Sequence, residues 1–214
     1  MDHTADALDI VARSRLVPLA TLPTVDSAAP LGEALEASGL KCVEVTLRSE
    51  AGLEGIRILA KRGDLLVGAG TVLSASDVER VVDAGAGFIV SPGIDPEVVA
   101  RAGELGVAVL PGVATASEVQ LAYRLGLQAV KFFPAEQSGG LATIGALAAP
   151  FAGMRFMPSG GITAQSAPSY LAHPAVLAVS GSWMLPGATV AEGDVPRMTR
   201  TLRAAVDALR TDAS

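Results

Sequence analysis

Half of the 214 residues are hydrophobic and only 4% are aromatic, so a chain of this length buries one sizeable core of small aliphatic side chains and leaves little room for a second domain. A net charge of −6 without any run of Lys or Arg argues against nucleic acid as a partner. The single cysteine, Cys42, excludes an internal disulfide and a cysteine-only metal site and fits a reducing compartment.

Residues 1–9 are polar and acidic and lack the basic and apolar regions of a secretory signal, so the expected location is cytoplasmic. Segments 139–154 and 162–191 carry no Asp, Glu, Lys or Arg, but Pro150, Pro168, Pro174 and Pro186 interrupt them. Neither supplies about 20 continuous helical apolar residues, and no membrane partner is expected.

In chain order, a helix over 5–14 opens the sequence. Then one pattern recurs: an amphipathic segment stops at a glycine and a short β-branched, apolar run follows. Gly39, Gly63, Gly85, Gly106 and Gly126 mark these stops, 24, 22, 21 and 20 residues apart. That spacing fits one helix, one strand and two short loops, and glycine suits the left-handed position that ends a helix. Asp95 ahead of Pro96 and Glu97, and Thr115 three residues ahead of Glu118, mark helix starts. Strands are predicted at 16–20, 41–47, 65–70, 87–90, 107–110, 128–133, 155–159 and 176–180. Eight strands alternating with helices predict an α/β fold: a single (β/α)8 TIM barrel spanning 1–214 as one domain, with a short extra N-terminal helix. An open doubly wound sheet is the alternative, because periodicity does not reveal closure.

Either architecture places its ligand beyond the carboxyl ends of the strands. Strand two ends in Val43-Glu44-Val45-Thr46-Leu47-Arg48, and alternation puts Glu44, Thr46 and Arg48 on one face. These are a carboxylate and a guanidinium at the barrel mouth, or else a solvated ion pair. Cys42 shares that face and reads as a packed thiol, because no neighbouring histidine activates it. Thr71, after Val67-Gly68-Ala69-Gly70, and Ser91-Pro92-Gly93 are strand-end groups that either shape a site or form turns.

Strand six, Gln128-Ala129-Val130-Lys131-Phe132-Phe133-Pro134, sets a lysine in an apolar run, where a charge is costly. An ordinary lysine is neutral about once in 2,500 at pH 7, so a nucleophilic amine here needs about 4 kcal/mol in favour of its neutral form. Aromatic rings and a second cation such as Arg48 are candidate sources. The plain alternative is a lysine snorkelling outward from the strand end.

Turns at Ser159-Gly160-Gly161 and Ser180-Gly181-Ser182 follow the last two strands and offer bare backbone N–H groups to an anion. His173, before Pro174, reads as a surface loop residue. No residues have metal-ligand spacing and no dinucleotide fingerprint is present, so neither metal nor cofactor is expected.

Together these segments resemble the 2-keto-3-deoxy-6-phosphogluconate (KDPG) and 4-hydroxy-2-oxoglutarate (KHG) aldolase family. The resemblance covers nearly the whole chain through six ordered blocks: 43–48, 67–73, 88–93, 110–115, 130–136 and 181–183. It implies a homotrimeric, metal-independent class I aldolase that takes a 2-keto acid and a phosphorylated aldehyde. Lys131 would form the Schiff base and Glu44 would move protons. Arg48 and Thr71 would hold the pyruvyl carboxylate, Pro92 and Phe133 would shape the pocket, and Ser159, Gly160, Gly161 and Ser182 would face the phosphate. The implied reaction is cleavage of KDPG to pyruvate and glyceraldehyde 3-phosphate; the galactonate epimer of KDPG and 4-hydroxy-2-oxoglutarate are alternative substrates, and a non-catalytic phosphate-binding barrel is an alternative of another class. Three places depart from the family pattern. Ser159 stands for a threonine, Ser180 for a glycine, adding bulk near the expected phosphate, and Ala20-Thr21-Leu22-Pro23 after strand one lacks the arginine that many relatives place there.

Overall fold

The computed structural model describes residues 3–211, so the first two residues of the polar segment read for a leader lie outside the described residues. The strands are β1 (Leu16–Ala20), β2 (Cys42–Thr46), β3 (Leu66–Gly70), β4 (Phe88–Val90), β5 (Ala108–Leu110), β6 (Gly112–Val113), β7 (Ala129–Phe132), β8 (Arg155–Pro158) and β9 (Val179–Gly181). All pair in parallel, in two runs ordered β5-β4-β3-β2-β1-β9 and β6-β7-β8.

Both gaps between the runs are closed. Pro111 separates β5 from β6 because it has no N–H for a ladder, yet its carbonyl accepts the Lys131 N–H at 2.9 Å. On the other side, bridges Phe156↔Val176 and Ser159↔Ser180 tie β8 to the β9 segment. β5 and β6 therefore act as one interrupted strand, and eight strand positions form a closed barrel rather than an open sheet.

The helices are α1 (His3–Ser14), α2 (Ala28–Ser38), α3 (Gly52–Ala60), α4 (Ala75–Asp83), α5 (Pro96–Glu104), α6 (Ala116–Arg124), α7 (Gly140–Ala148), α8 (Ala167–Leu171), α9 (Gly187–Glu192) and α10 (Val195–Thr211). All five predicted stop glycines have positive φ, between 66° and 96°. Asp95 accepts the Glu97 N–H, and Thr115 with Glu118 forms a reciprocal capping box. Outward-facing Val43, Val45, Ile89, Val130 and Phe156 pack with Leu31, Leu35, Ile56, Leu59, Val78 and Ile144 of the helices in the larger core cluster. Each such side chain contributes roughly 1.5–3 kcal/mol by burial.

The inward-facing set is separate: Val17, Cys42, Phe88, Val90, Leu110, Ala129 and Met157 fill the barrel, and Ala7 and Val11 of α1 pack into the same cluster. Burial pushes the Cys42 thiol up to about 11, consistent with a packed thiol.

One expectation needs correction. The last strand begins at Val179 and not at 176, because Val176 N–H turns back to the His173 carbonyl and only single bonds reach β8 before the β1 ladder starts. His173 lies in the loop after α8, partly exposed, and its Nδ1 accepts the Ala175 N–H at 3.2 Å, which holds that turn. Among the described residues, no helix is long and apolar enough to cross a membrane.

Candidate active site

At the carboxyl ends of the strands lies a cavity of about 300 Å³, at the lower limit for small-molecule sites. All ten residues singled out from the sequence line it: Glu44, Arg48, Thr71, Pro92, Lys131, Phe133, Ser159, Gly160, Gly161 and Ser182. Leu19, Thr46, Ile162 and Gly181 complete the wall.

Alternation along β7 sends Val130 and Phe132 outward and leaves Lys131 inside, 6% exposed. Its Nζ donates to Glu44 Oε1 at 3.3 Å and lies 5.2 Å from the centre of the Phe133 ring. Glu44, on β2, is 1% exposed. The second cation expected beside the amine is absent from this contact. Arg48 has left the strand and stands exposed at the rim, where its guanidinium donates to Thr21 Oγ1 at 2.9 Å and to Thr46 Oγ1 at 3.4 Å. The two threonine hydroxyls bond one another at 2.9 Å. Arg48 is thus a held surface cation facing the cavity, and the carboxylate's ion pair is with Lys131.

Room for the carboxylate comes from β3. A Cβ on Gly70 would stand 2.3 Å from Glu44 Oε1, and one on Gly68 would strike the Phe88 ring at 2.1 Å. Only bare backbone at Gly70 lets the Glu44 side chain lie across the barrel toward β7. Thr71 then turns the chain out of β3 with φ 62°.

At the other end of the cavity, Gly160 and Gly161 both have positive φ, 97° and 80°, Gly160 lying beside Phe133 and Gly161 beside Glu136. This turn is braced from below. Glu136 N–H bonds the Gly160 carbonyl at 3.1 Å, and the Tyr170 hydroxyl donates to Glu136 Oε1 at 2.6 Å. Burial first, then the Glu136 carboxylate, pushes the Tyr170 hydroxyl well above its usual range.

Ser180 is not where the sequence placed it. Its side chain does not add bulk at the glycine turns; it points into the barrel and donates to Glu44 Oε2 at 3.1 Å. Alternation from Ser182, two residues on, carried the signal for this. Thr21, noted only for the missing arginine, supports Arg48 instead. Among the described residues no group of three His, Cys, Asp or Glu side chains is placed to hold a metal ion.

The arrangement can therefore do amine and carboxylate chemistry in a small cleft with a cation at one end and a bare glycine turn at the other. Comparison with known proteins agrees in kind. A family model described as KDPG and KHG aldolase matches residues 8–201. The 2-dehydro-3-deoxy-phosphogluconate aldolase of Treponema pallidum is 45% identical over 188 residues, covering 87% of this chain and 90% of that protein. The crystal structure of the KDPG aldolase of Zymomonas mobilis with 3-phosphoglycerate superposes with a TM-score of 0.89 at 40% identity, covering 94% of this chain and 95% of that one. The Legionella pneumophila KDPG aldolase, with pyruvate captured as a covalent carbinolamine, gives a TM-score of 0.89 at 33% identity and covers 93% of this chain and 97% of that one.

Proposed function

The chain belongs to the KDPG and KHG aldolase family, and from that premise we propose that it cleaves 2-keto-3-deoxy-6-phosphogluconate reversibly to pyruvate and glyceraldehyde 3-phosphate through an imine on Lys131. It is a pyruvate aldolase, a carbon–carbon lyase. The observation that carries the assignment of roles is a lysine amine inside the cavity with one carboxylate, Glu44, 3.3 Å away.

Lys131 Nζ passes a proton to its ion-pair partner Glu44 and, as the neutral amine, adds to the C2 ketone. Glu44 relays the amine protons to the C2 oxygen, which departs as water, leaving a protonated imine and the Glu44 carboxylate ionised again. Glu44, directly or through a water, takes the C4 hydroxyl proton; the C3–C4 bond breaks, its electrons flow into the imine, and an enamine forms as the aldehyde leaves. Glu44 returns the proton to C3, and water then releases pyruvate and the free lysine. The imine is the electron sink, so the reaction needs no metal.

Arg48, fixed by Thr21 and Thr46, would meet the C1 carboxylate together with Thr71. Pro92 and Phe133 would enclose the ketone. Ser159, Gly160, Gly161 and Ser182 would receive the phosphate through backbone N–H and hydroxyl groups, since among the described residues the cations lining the cavity are Arg48 and Lys131. One barrel domain over 1–214, cytoplasmic residence and assembly as a homotrimer complete the proposal; the trimer is supported by the family resemblance.

The test is pyruvate release from 2-keto-3-deoxy-6-phosphogluconate, its galactonate epimer and unphosphorylated 4-hydroxy-2-oxoglutarate. The proposal expects the gluconate acid to be cleaved with the highest kcat/KM and Lys131→Ala to abolish release from all three. Equal rates with the unphosphorylated acid would contradict a phosphate-binding role for the glycine turn.

A further inference from the structure

We propose that Ser180 is a positioning residue for Glu44, fixing the carboxylate while the proton it carries is taken up and delivered. The proposal rests on the reading of Glu44 as the proton carrier.

Ser180 has no exposed surface. Its backbone is held from both sides of the barrel closure, in register with Val17 of β1 and bridged to Ser159 after β8. The hydroxyl therefore springs from a rigid point. Glu44 uses its two oxygens separately: Oε1 takes the Lys131 amine, and Oε2 takes the Ser180 hydroxyl. Gly70 supplies empty space and no polar side chain beside Oε1.

The two anchors differ once the reaction begins. A lysine amine offers several N–H donors, but the protonated imine keeps a single N–H, so Lys131 loosens its hold on Oε1 at the stage when Glu44 must reach first the C4 hydroxyl and then C3. The Ser180 hydroxyl is unchanged by imine formation. A hydroxyl also donates to a carboxylate and accepts from a carboxylic acid, so the same contact holds Glu44 before and after it takes the proton. Without it, Oε2 is a buried carboxylate oxygen lacking its side-chain donor, and the side chain is free to rotate.

Pyruvate alone separates these steps. Half-saturation for borohydride trapping reads imine formation, and exchange of the C3 protons in deuterated water reads proton transfer by Glu44. Ser180→Ala is expected to keep the pyruvate concentration for half-maximal trapping within about two-fold, and to lose about ten-fold in exchange rate and in kcat for cleavage, a loss of about 1.4 kcal/mol in transition-state stabilisation. Ser180→Thr, which restores a hydroxyl, is expected to recover most of both. Exchange by Ser180→Ala at the wild-type rate overturns the proposal, as does a folded Ser180→Thr that exchanges no faster than Ser180→Ala; if the threonine methyl prevents folding, the split between trapping and exchange in Ser180→Ala decides alone. Glu44→Gln exchanging at the wild-type rate would bring down the reading of Glu44, and this proposal with it.

Discussion

Thr71 closes β3 with φ 62°, a backbone region that a β-branched residue enters only at a cost of about 1–3 kcal/mol. The neighbours enforce it: Leu47 N–H bonds the Gly70 carbonyl at 2.9 Å and Val72 N–H bonds the Val90 carbonyl at 3.2 Å. Strain retained at a cavity wall is consistent with a side chain kept for binding. Thr71→Gly is accordingly expected to leave the melting temperature unchanged or raise it by a few degrees, while the KM for the keto acid rises about ten-fold; a lower melting temperature with unchanged KM would make Thr71 a structural residue. The same scale shows where sequence patterning succeeds and fails. That Glu44 and Thr46 share a face was legible because alternation fixes it; whether that face and Lys131 point inward was not, because alternation does not tell one side of a strand from the other. Nor was the place of Arg48, since alternation stops with β2 at Thr46 and the guanidinium then folds toward Thr21, 27 residues away in sequence.

Helix starts are the most legible elements. At α6, Glu118 accepts the Ala114 and Thr115 N–H groups, each at 2.8 Å, and the Thr115 hydroxyl at 2.7 Å. Burial opposes its charge, but these backbone and hydroxyl donors prevail and hold its carboxyl below the usual range. A carboxyl depressed in the folded state stabilises the fold above its unfolded value and loses that contribution as pH falls through the folded one. Glu118→Gln should therefore cost about 1 kcal/mol at neutral pH, shrinking toward acid below the ordinary carboxylate range, as followed by urea unfolding across pH. A pH-independent cost would assign the effect to packing. Less legible were the elements made of interrupted ladders. Pro111 splits one barrel strand into β5 and β6, and Val176 to Ala178 reach β8 through single bonds. Periodicity ends strand five at 110 and misses β6, and it runs the last strand unbroken from 176, because it reports burial and not which N–H groups have partners.

For the whole molecule, the barrel brings together residues as distant in sequence as Glu44, Lys131 and Ser180. The β1–β9 ladder sets the geometry, since it puts Ser180 two strands from Glu44 with β1 between them. The helix-to-strand rhythm predicted eight units; closure became legible only through hydrogen bonds across sequence gaps, and Ser180 was misplaced because its partner lies 136 residues away. Removing one member of a buried pair such as Lys131 and Glu44 typically costs about 3–5 kcal/mol; Lys131→Met loses the pair as Lys131→Ala does but fills the same volume, so it adds no cavity to that cost and is the better control for chemistry. The central claim is that Lys131 becomes covalently joined to the keto acid. Mass spectrometry of the protein after borohydride reduction with pyruvate tests it most directly: the account predicts one reduced pyruvyl adduct per chain, mapped to Lys131 and absent from folded Lys131→Met, and an unmodified wild-type chain or an adduct on another lysine would contradict it.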